Sequence, residues 1–133
     1  MLFRSGFVNG IAVDPNTGTA CTATEIDFSV EFYNLATQTG FIVPIPGATN
    51  QSQSGQDVQF DPIHKLFLVG QEFSSTAPSG SSIQVFDEQG NFIESINGLS
   101  LPASPALIAL NPSQRTGYVI VTPELTSLQS FTY

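Results

Sequence analysis

Three observations in the sequence predict an all-β fold assembled from repeated four-strand units. Asp14-Pro15, Asp61-Pro62 and Asn111-Pro112 each follow a short apolar strand and precede a second, with successive anchors 47 and 50 residues apart. A third strand recurs at a matching place, as Val30-Glu31-Phe32-Tyr33-Asn34, Ile83-Gln84-Val85-Phe86-Asp87 and Leu128-Gln129-Ser130-Phe131-Thr132. Eleven Phe and three Tyr, with many Val, Ile and Thr, favour strands, and no segment sustains a helical period. A period in the forties to fifties built from four short strands is the signature of β-propeller blades. The chain therefore reads as about two and three-quarter blades, at residues 9–47, 55–98 and an incomplete 104–133.

In the first unit residues 11–13 form the inner strand. Asp14-Pro15-Asn16-Thr17-Gly18 then places an acid, a proline and a glycine where a tight turn wants them. Residues 19–25 return as the second strand, 30–34 make the third and 40–45 the outer fourth. Pro44 fits an outer strand, because an edge leaves some amides unpaired. The second unit repeats the order at 58–60, 66–71, 82–86 and 91–96, with Asp87-Glu88-Gln89-Gly90 as a four-residue hairpin turn. Residues 73–80 lengthen its second connection, so the third strand begins 22 residues after the anchor against 16 in the first unit. The third unit offers strands at 107–110, 117–121 and 128–131, and the linkers at 48–54 and 100–105 are polar or carry proline.

With 41% hydrophobic residues over 133 positions, the chain can build a core. Three basic residues, Arg4, Lys65 and Arg115, face eleven acids for a formal charge of −8, which disfavours nucleic acid and anionic lipid as partners. No apolar run approaches the ~20 residues needed to span a bilayer, and the first residues do not form a signal peptide. Scarce lysine with abundant Ser, Thr, Gln and Asn favours an extracytoplasmic or secreted location. Cys21 is the single cysteine, so the chain holds no internal disulfide, and it reads as a small buried hydrophobe.

Closed propellers use ~4–8 blades, so fewer than three should not suffice alone. The sequence is expected to be the C-terminal part of a larger propeller, with residues 1–8 a leader or a truncation-derived segment in which Met1-Leu2-Phe3-Arg4-Ser5 fits no repeat. The rival expectation is a homo-oligomer in which several copies complete the ring.

Asp-Pro after an inner strand, followed by a third strand ending Val-Phe-Asp and a hairpin with glycine, resembles the NHL, YVTN and gluconolactonase-like propeller repeats. Asp61-Pro62, Ile83-Gln84-Val85-Phe86-Asp87 and Gly90 carry the likeness best. The resemblance covers residues 9–133 and implies the fold rather than a chemistry. The absence of Trp excludes the Trp-Asp ending of WD40 blades and the Trp of sialidase Asp boxes.

Propeller ligands commonly lie at the loops that join second to third strands. Eleven residues beyond the anchors stand Glu25 and Glu72, with Glu124 near the corresponding place of the third unit and Asp27 and Asp57 close to the same face. Such an acidic rim offers oxygen ligands to a divalent cation such as Ca²⁺ or attracts a cationic partner. Glu25 and Glu72 are the candidate metal ligands, and Phe73, Asp57 and Glu124 the candidate ligand-binding residues. Solvated carboxylates at strand ends are the preferred reading, because no compact calcium-loop motif is present. His64, beside Lys65, lacks a spaced His, Cys or carboxylate partner and reads as a turn residue, and Arg115 as its solvated counterpart. No nucleophile elbow is present. Phe32, Tyr33, Phe60, Phe67, Phe86, Phe92 and Phe131 are expected to pack between blades.

The leading expectation is a non-catalytic propeller scaffold that binds a protein, glycan or small ligand through its loop faces, with no cofactor required. A metal-dependent lactone hydrolase of the gluconolactonase-like type is the alternative that the resemblance implies. No catalytic residue can be assigned to it.

Overall fold

The computed structural model describes residues 8–24, 29–46, 55–71, 81–99, 105–121 and 127–133. They form three antiparallel sheets. Blade 1 contains β1 (Val8–Asp14), β2 (Thr19–Thr24), β3 (Ser29–Asn34) and β4 (Thr39–Pro44). Blade 2 contains β5 (Gly55–Asp61), β6 (Leu66–Gln71), β7 (Ser81–Asp87) and β8 (Phe92–Leu99). Blade 3 contains β9 (Pro105–Asn111), β10 (Thr116–Val121) and β11 (Ser127–Thr132), with a single 3₁₀ turn at Pro112–Gln114 between its first two strands. Each sheet runs in chain order, so every blade is a meander. Pro44 ends the edge strand β4, as its missing amide requires.

The anchor residues cap the turn between first and second strands in every blade. Asp14 Oδ1 accepts from the Asn16 amide at 2.8 Å, Asp61 Oδ1 from the Ile63 amide at 2.8 Å, and Asn111 Oδ1 from Ser113 Oγ at 2.8 Å. Each turn is closed by a residue in the left-handed region, Gly18 at φ 70°, Lys65 at 58° and Arg115 at 50°. Only Gly18 was recognisable as such from its residue type.

Alternation along the strands gives each blade a forward face, toward the next blade, and a rear face. The forward face of blade 1 (Cys21, Ala23, Val30, Phe32, Ile45) packs on the rear face of blade 2 (Val58, Phe67, Val69, Phe86). The forward face of blade 2 (Leu66, Leu68, Ile83, Val85, Leu99) packs on the rear face of blade 3 (Ile108, Val119, Phe131). Small residues on blade 1 make room for the phenylalanines of blade 2. Phe32 stacks on Phe41 at 5.5 Å and meets the edges of Phe67 at 5.5 Å and Phe86 at 6.0 Å. The inner strands β1 and β5 approach so closely that a Cβ on Gly10 would lie 2.8 Å from the Asp57 Cα.

The aromatic expectation holds for Phe32, Phe67, Phe86 and Phe131, which are buried, while Tyr33 and Phe60 are half-buried. Phe92 is corrected: it opens the edge strand β8 and is 40% exposed, with its ring edge-on to Phe86 at 5.9 Å. Cys21 is fully buried, and burial pushes its thiol pKa up.

Candidate functional site

Of the residues singled out from sequence, Glu25, Glu72, Phe73, Glu124 and Asp27 lie outside the described residues. Asp57 stands within β5, half-buried. Its Oδ1 accepts from the Val58 amide at 2.9 Å, while its Oδ2 accepts from the Ile108 amide of β9 at 2.7 Å and from Gln59 Nε2 at 3.4 Å. The carboxylate thus ties the inner strands of blades 2 and 3 together. Among the described residues no group of three His, Cys, Asp or Glu could hold a metal ion.

His64 requires a correction. It has a carboxylate partner after all, Asp61, whose Oδ2 lies 2.7 Å from His64 Nδ1 across the turn. The i,i+3 spacing inside a capped turn brings the two together. Asp61 is fully buried and also accepts from the His64 amide at 3.0 Å and from Tyr133 Oη at 2.9 Å. With Asp61 ionised, the proton belongs on His64 Nδ1. Burial pushes the Asp61 carboxyl up, but the bonds from His64, Tyr133 and Ile63 outweigh it and hold the group below the ordinary carboxylate range. Burial and the same carboxylate push Tyr133 above the ordinary phenol value. Arg115, expected to be solvated, lies with its guanidinium 5.7 Å from the centre of the Tyr133 ring. The Asp61 carboxylate is thus surrounded by donors, from the Ile63 and His64 amides, His64 Nδ1 and Tyr133 Oη.

A groove of about 300 Å³ opens at the turn side of the junction between blades 1 and 2. It is lined by Thr17 and Thr19 from the first turn, Tyr33 and Asn34 from β3, Phe41 from β4, and Glu88 and Gln89 from the turn before β8. Phe41 is half exposed. Gly90 permits the arrangement: its φ of 81° turns the hairpin, and a Cβ there would meet the Phe41 ring at 2.6 Å. Glu88 Oε1 accepts from Gln89 Nε2 at 3.0 Å and lies 3.8 Å from Lys65 Nζ, while Glu88 Oε2 is buried without a hydrogen-bond partner. Lys65 also adds to the lowering of the Asp14 carboxyl, where burial raises the pKa and the bonds from Thr17 and Asn16 outweigh it. Sequence reading missed this groove because its residues come from separate turns of two blades. It looked instead to the opposite end of the strands.

No known family profile matches the sequence, and no curated protein sequence matches it. Solved structures do match in shape. The chain is similar to the RRP9 WD40 repeats (TM-score 0.73, 12% identity, covering 98% of this chain and 37% of that one). It is similar to nidogen in the nidogen/laminin complex or to its partner chain there at TM-score 0.67 and 12% identity, covering 90% of this chain and 41% of that one. Hydrazine synthase of Kuenenia stuttgartiensis aligns at TM-score 0.63 and 19% identity, covering 86% and 29%. The fold is that of β-propeller blades. The chain spans roughly two-fifths or less of the structures it matches. The likeness to the WD40 repeats is one of fold alone, in a chain that contains no tryptophan.

Proposed function

We propose that this chain is a non-catalytic propeller scaffold whose groove between blades 1 and 2 binds a neutral glycan. The observation that carries this reading is the lining itself. The exposed Phe41 ring and the Tyr33 ring stand beside Asn34, Gln89, Glu88, Thr17 and Thr19. A sugar ring presents an apolar C–H face suited to an aromatic ring and a rim of hydroxyls suited to amides, hydroxyls and a carboxylate. The volume lies at the small end of the ~300–1000 Å³ typical of small-ligand sites. The charge of −8 argues against an acidic saccharide.

The test is saturation-transfer NMR with a panel of neutral oligosaccharides against wild type, Phe41→Ala and Glu88→Gln. Binding should weaken at least tenfold in Phe41→Ala and less in Glu88→Gln. Equal binding by wild type and Phe41→Ala, or binding of a peptide panel in place of saccharides, would overturn the assignment.

A further inference from the structure

The sequence holds two Asn–Gly pairs in nearly the same local context, Val8-Asn9-Gly10-Ile11 and Ile96-Asn97-Gly98-Leu99. Glycine has no Cβ, so its backbone nitrogen can approach the side chain of the asparagine before it. Both asparagines are exposed and both pairs fall at register shifts of their ladders, so neither feature separates them. The surroundings of the two glycines do. Gly10 lies on the inner strand β1 against β5, where a Cβ would meet the Asp57 Cα and the Val58 nitrogen at 2.8 Å. Asp57 is itself held by its bond to the Ile108 amide. Gly98 lies on β8, the outer edge of blade 2, with nothing within 4 Å of a Cβ position. Ile96 pairs with Ile83 and Leu99 with Ser81, so Asn97 and Gly98 together face Ser82. That is a β-bulge, and Gly98 takes its left-handed position at φ 80°. The Asn97 side chain is held by Ser95, whose Oγ donates to Asn97 Oδ1 at 3.2 Å and whose carbonyl accepts from Asn97 Nδ2 at 3.3 Å. Both bonds exceed the usual ~2.8–3.0 Å, so releasing the amide costs little.

We propose that Asn97–Gly98 is a self-modifying site in the folded chain, where Asn97 deamidates while Asn9–Gly10 is protected. The Gly98 nitrogen attacks Asn97 Cγ and forms an N–C bond. Its proton passes through water to the departing amide, which leaves as ammonia, and a five-membered succinimide remains. Water then adds to one of the two ring carbonyls and opens the ring, to aspartate or to isoaspartate. Water is the only co-reactant. At Gly98 the peptide plane can turn toward the side chain without displacing a neighbour, whereas at Gly10 the same turn pushes on the backbone of β5. Either product places a new negative charge beside Ser95, whose Oγ also accepts from the buried Gln84 Nε2 at 2.9 Å. Isoaspartate further lengthens the backbone by a methylene two residues before Leu99, which is buried in the core between blades 2 and 3. Conversion therefore loosens that junction. The inference does not rest on the groove.

The decisive experiment incubates the full chain at mildly alkaline pH, folded and in urea, and follows both asparagines by peptide mapping with mass spectrometry, which reads the exchange of a side-chain NH₂ for OH. In the folded chain Asn97 should convert about tenfold faster than Asn9 or more, the ratio that a barrier difference of about 1.4 kcal/mol gives. In urea the two rates should converge, because the flanking residues are alike. The comparison is internal to one wild-type sample and needs no variant. Equal rates in the folded chain, or a faster Asn9, would overturn the proposal. So would an Asn97 that stays intact in the folded chain while it reacts in urea. A preference for Asn97 that persists undiminished in urea would assign the difference to local sequence and overturn it equally. The converted fraction, separated by ion exchange, should unfold at lower urea concentration than its parent. Coincident unfolding curves would overturn the coupling to Leu99.

Discussion

Tyr133 Oη donates to Asp61 Oδ2 across 2.9 Å, a buried bond that joins residues 72 apart in sequence and fastens blade 3 to the turn of blade 2. A hydrogen bond to a charged acceptor contributes about 1.5–3 kcal/mol. Tyr133→Phe keeps the ring beside Arg115 and removes only the hydroxyl. The expected loss is at the lower end of that range, about 1.5 kcal/mol, because Asp61 keeps the Ile63 and His64 donors. Urea unfolding of the variant against wild type measures it.

The same pair gives stability two pH limits. Asp61 has a folded pKa below its unfolded value, so its contribution is present above about pH 4 and is lost as pH falls through the folded value. Asp14 acts in the same direction. Tyr133 has a folded pKa above its unfolded value of about 10, so its contribution is complete below pH 10 and declines as pH rises beyond it. In Tm–pH profiles, Tyr133→Phe should flatten the alkaline decline while leaving the Cys21 share of it. An unchanged alkaline limb would count against the assignment.

Asp57→Ala should cost about 1–3 kcal/mol, because it leaves the Ile108 amide without its acceptor inside the blade 2–blade 3 junction. Asp57→Asn retains a carbonyl oxygen and should cost less. If the two variants unfold at the same urea concentration, the bond to Ile108 is not what the residue contributes.

Gly10→Ala should destabilise by about 1–3 kcal/mol, as overpacking does. The added Cβ meets backbone atoms of Asp57 and Val58 at 2.8 Å, and backbone cannot swing aside. Gly117→Ala also collides, with the ring of Phe131, but a side chain can move. Thermal unfolding should therefore rank Gly10→Ala as the more damaging of the two.

Cys21 should resist thiol reagents until the protein opens. Its thiol is fully buried and its pKa is raised, so both access and thiolate fraction are low. Modification by a colorimetric disulfide reagent should follow the rate of global opening. Fast labelling under native conditions would show that blade 1 separates from blade 2 on its own.

The strands were legible because each blade repeats a local pattern. Asx-Pro anchors end the inner strands, and apolar alternation marks the rest, so all eleven strands fall where the sequence placed them within a few residues. What escaped was nonlocal or hidden by residue type. Nothing in the sequence pairs Tyr133 with Asp61, since that contact depends on how two blades dock. Lys65 and Arg115 adopt the left-handed geometry that only Gly18 announces, and at Arg115 the bond from its amide to the Pro112 carbonyl closes the turn as the Gly18 amide does to Asp14. Asp57 was read as a rim acid because its position near a strand end was visible and its partner in β9 was not.

The in-order strands of each sheet also bear on how the molecule reaches its native state. Every ladder joins neighbours in the chain, so a blade can form from short loop closures before any other blade exists. The contacts between β1, β5 and β9 then arrive as docking of preformed meanders. Substitutions in the hairpin turns should slow refolding, whereas those at the junctions, Asp57 and Tyr133 among them, should act mainly by speeding unfolding.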